Sequence, residues 1–331
     1  MTGPHPAVAA TRLAVRQSVQ DLRPGALVFV ACSGGADSLA LASAAAFELP
    51  KRGIRVGAVV IDHQLQQGSG PVAKAAAGTC RTLGLDPVQV VAVAAASDLG
   101  DGPEAAARQA RLAAFADVVQ RHTGTALMLG HTRDDQAETV LLRLTRGSGT
   151  RAIAGMAVTS TQSDLVLSRP FLTDVTRAQT RAACAAQGLS WWDDPHNEDT
   201  RYTRVRVRRA LQSLQEDLGP GLAQGLARSA ALARQDADHL DGLARAEAAE
   251  MGEFPWQVAD LEQLPAALRG RVWRLLMTAS GATAPDVGAG HVASLDALVT
   301  RWHGQGPVDI PGGLRVSRRR EIVVVDSSPV Q

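Results

Sequence analysis

The sequence predicts an α/β chain: a doubly wound, mainly parallel sheet, followed by a second, smaller and mostly helical C-terminal domain. Three observations carry this. Short, continuously apolar runs recur at a spacing of about 30 to 38 residues, with helical periodicity between them. A glycine-rich turn joins the first run to its helix, and after residue 191 the texture changes to polar, arginine-rich and Ala/Leu patterns.

Residues 26–31 (ALVFVA) read as a strand buried on both faces, as a parallel sheet requires. An Ala/Leu helix follows over 37–49 and is stopped by Pro50 and Gly53. Runs at 56–61, 88–93 and 126–129 give three more strands. The intervening helices fall near 71–84 and 104–122, the second entered with Pro103 in its first turn. A further helix is expected over 140–146. Right-handed βαβ units of this kind bind ligands beyond the carboxyl ends of their strands. Farther on, 195–210 is polar and arginine-rich, 219–250 is helical with a Gly-Pro-Gly break at 219–221, and 307–325 suggests a short hairpin or two. The expected domains are 1–212 and 213–331.

Composition narrows the class. At about 150 residues per domain, 331 residues make two domains, and 45% hydrophobic with 20% charged residues excludes a disordered or fibrous chain. Cys32, Cys80 and Cys184 contain no C-x-x-C pair, so a reducing compartment without a structural zinc or iron–sulfur site is expected. No apolar run reaches the roughly 18 residues of a membrane span, and the N-terminus lacks secretory-signal features, so the expected address is the cytosol, with no membrane partner. Net charge is only +1, yet lysine occurs only at 51 and 74, so 32 of the 34 cations are arginine, the forked donor suited to phosphate.

Chemistry concentrates in two segments. Cys32-Ser33-Gly34-Gly35-Ala36-Asp37-Ser38 lies between the first strand and its helix. Adjacent glycines let successive N–H groups turn on an anion, and the helix start adds its positive end, making a phosphate cradle. The G-x-x-x-x-G-K-[ST] spacing and lysine are missing, so this is not that loop. Asp37 beside phosphates calls for a bridging Mg²⁺. Ser33-Gly34-Gly35-x-Asp37-Ser38 resembles the PP-loop of the N-type ATP pyrophosphatases, with their adenine nucleotide alpha hydrolase-like fold. That resemblance implies ATP binding by Ser33, Gly34, Gly35, Ala36, Asp37 and Ser38, Mg²⁺ on Asp37, and transfer of AMP.

The second segment, Gly130-His131-Thr132-Arg133-Asp134-Asp135-Gln136-Ala137-Glu138-Thr139, ends the fourth strand and precedes Gly147-Ser148-Gly149. On a helix, His131 and Asp135 share a face, as do Asp135 and Glu138 or Thr139. A histidine and a carboxylate there can move protons during phosphoryl chemistry. H-x-x-D-D-Q-A-E-T with R-G-S-G resembles the tRNA(Ile)-lysidine synthase family of PP-loop enzymes.

Four more segments agree with the family in order. Asp62-His63-Gln64-Leu65-Gln66 stands for D-H-G-L-R, departing at Gln64 and Gln66. Arg108 and Arg111 match A-R-x-x-R-Y, with Leu112 for Tyr. Arg169-Pro170-Phe171-Leu172 matches R-P-L-L. Trp191 to Arg208 matches W-x-x-D-x-x-N…Y-x-R-N-x-I-R, with Val205 for Asn. Five arginines in residues 201–209 are costly on a helix unless a polyanion neutralises them.

The resemblance implies a ligase that adenylates O2 of the anticodon wobble cytidine of CAU-anticodon tRNA(Ile) and then attaches free L-lysine at C2. Asp62 and His63 join the ATP site, and Asp37, Arg111, His131 and Asp135 are catalytic, with Asp135 or His131 as base. Asp135 and Glu138 hold the lysine; Arg108, Arg204, Arg206 and Arg208 contact tRNA. A homodimer is left open. Two rival readings are a PP-loop tRNA thiolation enzyme and a nucleotide-gated RNA-binding protein without turnover.

Overall fold

The computed structural model describes residues 3–327 apart from 63, 65–68, 94–102, 146–148 and 284–285, and apart from the side chains of 103–107, 197 and 327. The chain forms two compact units, Met1–Ala233 and Arg234–Gln331.

In the first unit, β1 (Leu27–Ala31), β2 (Arg55–Asp62), β3 (Val88–Ala92) and β4 (Ala126–Met128) run parallel, and β6 (Leu165–Ser168) extends them beside β4. β5 (Thr159–Gln162) pairs antiparallel on β6 and ends the sheet, whose order is β3-β2-β1-β4-β6-β5. The expected mainly parallel, doubly wound sheet is therefore present. Alternation sorts the central strand between two layers. Val28 and Val30 face a core shared with α1 (Pro6–Ser18), α2 (Ala36–Glu48), α3 (Ser69–Thr82) and α7 (Arg177–Ala186). Leu27 and Phe29 face the other, where Val118 and Val119 of α4 (Pro103–Arg121) pack. The order reverses at β1, so the loops that follow β1 and β4 open onto one crevice, where such sheets bind ligands.

The helix expected over 140–146 is longer: α5 runs Arg133–Leu144. Thr132 is its N-cap and Asp135 completes a capping box, so the acidic stretch is the first turn of the helix and not its approach. His131 consequently lies outside the helix, and the four-residue spacing does not put it on a helical face with Asp135. After the short α6 (Thr150–Ile153) and the β5–β6 hairpin comes α7. The sequence reading assigned neither the hairpin, α7 nor α1.

The arginine-rich stretch enters α8 (Thr203–Leu218), and α9 (Leu222–Met251) follows the Gly-Pro-Gly break. The units divide inside α9, where the sequence reading placed the change at 212/213. The physical reason is packing: Ala223, Leu222 and Leu226 at the start of α9 close on Ala137 of α5 and Leu211 of α8. The second unit adds α10 (Val258–Gln263), α11 (Ala266–Ala279) and α12 (Ala289–Thr300) to an antiparallel sheet. Its strands, β7 (Trp256–Gln257), β8 (Val308–Ile310), β9 (Leu314–Arg319) and β10 (Ile322–Ser327), lie in the order β7-β10-β9-β8 around a core centred on Trp273.

Candidate functional site

The loop after β1 is shaped by its own side chains. Gly34 takes φ +85, a left-handed conformation that a side chain would strain, and a Cβ there would also press on Ala76 of α3 at 3.3 Å. The Ser38 hydroxyl accepts from the Ser33 N–H at 3.1 Å and donates to the Gly35 carbonyl at 2.9 Å, folding the loop over the start of α2. No side chain caps α2, which leaves its first-turn N–H groups for an anion. From the facing strand end, Gly130 comes so close that a Cβ would sit 3.1 Å from the Asp37 carbonyl and the Ser38 nitrogen. The Trp192 amide donates to the Gly34 carbonyl at 3.0 Å, tying the loop to the strap that leads to α8.

Beside this loop the first turns of α5 and α7 meet. The Arg177 amide donates to Asp134 at 2.8 Å and the Arg133 amide to the Val175 carbonyl at 2.9 Å. The Arg177 guanidinium then reaches three acids at once: Asp135 at 2.9 Å, Glu138 at 3.1 Å and Asp37 at 3.8 Å. Glu138 is 2% exposed and also accepts from Arg208 at 2.8 Å and Arg204 at 3.3 Å. A buried carboxylate is retained only when its oxygens are met in this way. Asp135 spends one oxygen on the Thr132 amide and hydroxyl, each at 2.8 Å, and turns the other to Arg177.

These contacts separate the acids electrostatically. Burial drives the Asp37 carboxyl up to about 6, against the hydrogen bond donated by Thr180. Burial also acts upward on Asp135, but Arg177 and Arg204 outweigh it and hold this carboxyl below its usual range. Burial pushes His131 down to about 4, with Arg169, Arg204 and Arg108 adding to the effect, so the ring is neutral at pH 7. Its Nδ1 is buried without a hydrogen-bond partner. Arg177 is raised by its acids.

A model of the PP-loop domain matches residues 9–214, and one of the TilS substrate binding domain matches residues 256–322. The chain is 49% identical over 330 residues to the tRNA(Ile)-lysidine synthase of Thermobifida fusca, covering 99% of this chain and 100% of that protein. This chain belongs to the tRNA(Ile)-lysidine synthase family. Identity to family members from Streptomyces coelicolor and Salinispora arenicola is 46% and 47%, over 96% and 98% of the chain and 97% and 98% of those proteins. Among solved structures, the U34-tRNA thiolase NcsA from Methanococcus maripaludis with its [4Fe-4S] cluster superposes with a TM-score of 0.57. At 18% identity over 68% of this chain and 77% of that one, it shows a shared fold.

Of the residues that family resemblance singled out, Ser33 to Ser38, His131, Asp135, Glu138, Arg204 and Arg208 gather around one crevice. Arg204 and Arg208 do share a face, and it turns inward to Glu138. Arg206 points elsewhere, onto the carbonyls of Thr200 and Arg201 and the Thr203 hydroxyl. Arg108 and Arg111 lie on α4, and Arg108 is near enough to act on His131. Asp62 ends β2 and accepts from the Gln64 amide at 3.2 Å; Gln64, where the family pattern has glycine, takes φ +52. His63 and the 146–148 part of R-G-S-G lie outside the described residues. Val205, in place of the usual Asn, is buried at the start of α8.

Arg177 was missed. Its signal was present in the Thr176-x-x-Gln179 capping box that starts α7, but an Ala-rich helix without large apolar residues hid it. The cysteines, far apart in sequence, converge on the core side of the loop: Cys32 and Cys80 share a hydrogen bond that lowers the first thiol and raises the second, and Cys184 donates to the Ala36 carbonyl at 3.4 Å. All three are buried, and among the described residues no group of three or more His, Cys, Asp or Glu is placed to hold a metal. No helix among the described residues is long and apolar enough to cross a membrane.

Proposed function

We propose that this chain joins free L-lysine to C2 of the wobble cytidine in CAU-anticodon tRNA(Ile), using ATP and releasing AMP and pyrophosphate, which changes the codon read from AUG to AUA. The observation that carries this reading is the meeting of an uncapped, glycine-shaped anion loop with an arginine-bound carboxylate array at one switch point. The names of the relatives support it. Loop N–H groups of Ser33 to Ser38 would hold the phosphates, and the cytidine O2 would attack the α phosphorus as pyrophosphate leaves. The base must leave its stack to be reached.

Asp37 fits a Mg²⁺ ion: its Oδ2 faces Arg177 at only 3.8 Å, and a cation there would relieve the burial that raises its carboxyl. One protein carboxylate plus phosphate oxygens and water is a usual Mg²⁺ shell. Bound there, the ion would screen the phosphates.

Asp135 and Glu138 are our candidates to receive the lysine ammonium, because the arginines hold the Asp135 carboxyl below its usual range and Glu138 is paired beside it. With both its oxygens engaged, Asp135 has little room to accept a proton; the unpartnered Nδ1 of the neutral His131 ring is the better place for the proton that must leave before the amine attacks C2. Arg108, Arg204 and Arg208 are assigned to the tRNA or adenylate phosphates and Arg111 to ATP. An address in the cytosol fits a tRNA-modifying enzyme.

The test is incubation with ATP, Mg²⁺, labelled lysine and CAU-anticodon tRNA(Ile), reading label in the RNA. ATP-dependent incorporation is expected, and Asp37→Ala should reduce it by at least about 100-fold. Uptake of sulfur in place of lysine, or lysine uptake indifferent to Asp37→Ala, would overturn the assignment.

A further inference from the structure

Resting on the reading that Asp135 and Glu138 receive lysine, we propose that Arg177 is the positioning residue of the amine site: its guanidinium spans Asp135 and Glu138 and fixes the spacing at which the ammonium is met. Among the described residues it is the one cation in contact with Asp37, Asp135 and Glu138 together. Arg204 reaches Asp135 only at 3.8 Å, and Arg208 reaches Glu138 alone.

The position of Arg177 is itself over-determined. It is the first residue of α7, its amide is taken by Asp134, and Thr176 before it is locked by Gln179 at 2.8 Å. A planar fork so held presents parallel N–H groups to two carboxylates at a set distance, which a flexible ammonium cannot do. An incoming amine therefore finds two acids already aimed, with the charge of each partly offset. That offset favours a ligand able to displace or share a guanidinium contact over any passing cation. Glu138 keeps Arg204 and Arg208 when Arg177 is removed, so its charge is not left unpaired.

Two rates separate this role from a structural one: lysine incorporation at varied lysine with ATP and tRNA saturating, and lysine-independent formation of the AMP–tRNA adduct from labelled ATP. Arg177→Gln should raise the KM for lysine by at least about tenfold, and by at least about threefold more than it slows adduct formation, which it also touches through Asp37. Arg177→Lys, which keeps the charge but cannot bridge, should raise it by about three- to fivefold and serves alone if the glutamine variant does not fold. A wild-type KM for lysine in a folded variant, or equal loss of adduct formation and lysine incorporation, would refute the role. Failure of the underlying reading looks different, since the wild-type protein itself would then incorporate no lysine.

Discussion

Asp37 and His131 sit on the same crevice under opposite strains. The folded carboxyl of Asp37, at about 6 against an ordinary 3.8, binds its proton more tightly than the unfolded chain does, so its contribution to stability falls as pH rises between those values. His131, at about 4 against 6.5, behaves in reverse: the unfolded chain takes up the proton first, and stability rises with pH across that window. The slopes oppose each other between about pH 4 and 6. Removing either should expose the other. Asp37→Asn is expected to stabilise the protein at pH 7.5, by on the order of 1–3 kcal/mol, while destroying activity. His131→Gln should leave a protein whose melting temperature drops as pH is raised from 4 to 6, by calorimetry. A melting temperature that climbs over that range in the glutamine variant would show that Asp37 does not titrate as described.

At the scale of elements, the site is built from helix starts. Thr132 caps α5 and pins Asp135, so Thr132→Ala should cost about 1 kcal/mol and weaken lysine binding with little effect on ATP. Gly130→Ala places a methyl against the Asp37 backbone and forces α2 to shift; a several-fold loss of affinity for an ATP analogue, measured by titration calorimetry, is expected beside a modest fall in melting temperature. What the sequence made legible follows the same line. The strands β1, β2 and β4 were readable because burial on both faces leaves continuous apolar runs, and the edge strand β3 because its residues are mostly valine. The loop was readable because its glycines and Asp37 are adjacent in the chain. The array was not, because Arg177 meets Glu138 across 39 residues and Arg208 meets it across 70. Pairings of that separation leave no periodic trace, and an Ala/Arg-rich helix such as α7 carries too little apolar contrast to announce its inward face.

Over the whole molecule, the two units keep separate interiors. Trp273 is fully buried among residues of the second unit alone, as Phe29 is in the first. Trp273→Ala should therefore cost about 3–5 kcal/mol in one unfolding step, leaving the step of the first unit in place; a single transition displaced as a whole would argue against separate cooperativity. Across both units the cations are nearly all arginine, and around the crevice this has a chemical consequence. An adenylated pyrimidine is an electrophile, open to any free amine within reach. Arg177, Arg204 and Arg208 supply positive charge as guanidinium, which stays protonated and does not attack carbon. The chain's two lysines stand apart from them: Lys51 is occupied with Glu48 and the Phe47 ring, and Lys74 is exposed on α3. On the proposed function, charge is thus gathered around a reactive base without a lysine amine of the protein's own beside it, and the choice of cation spares those lysines from modification.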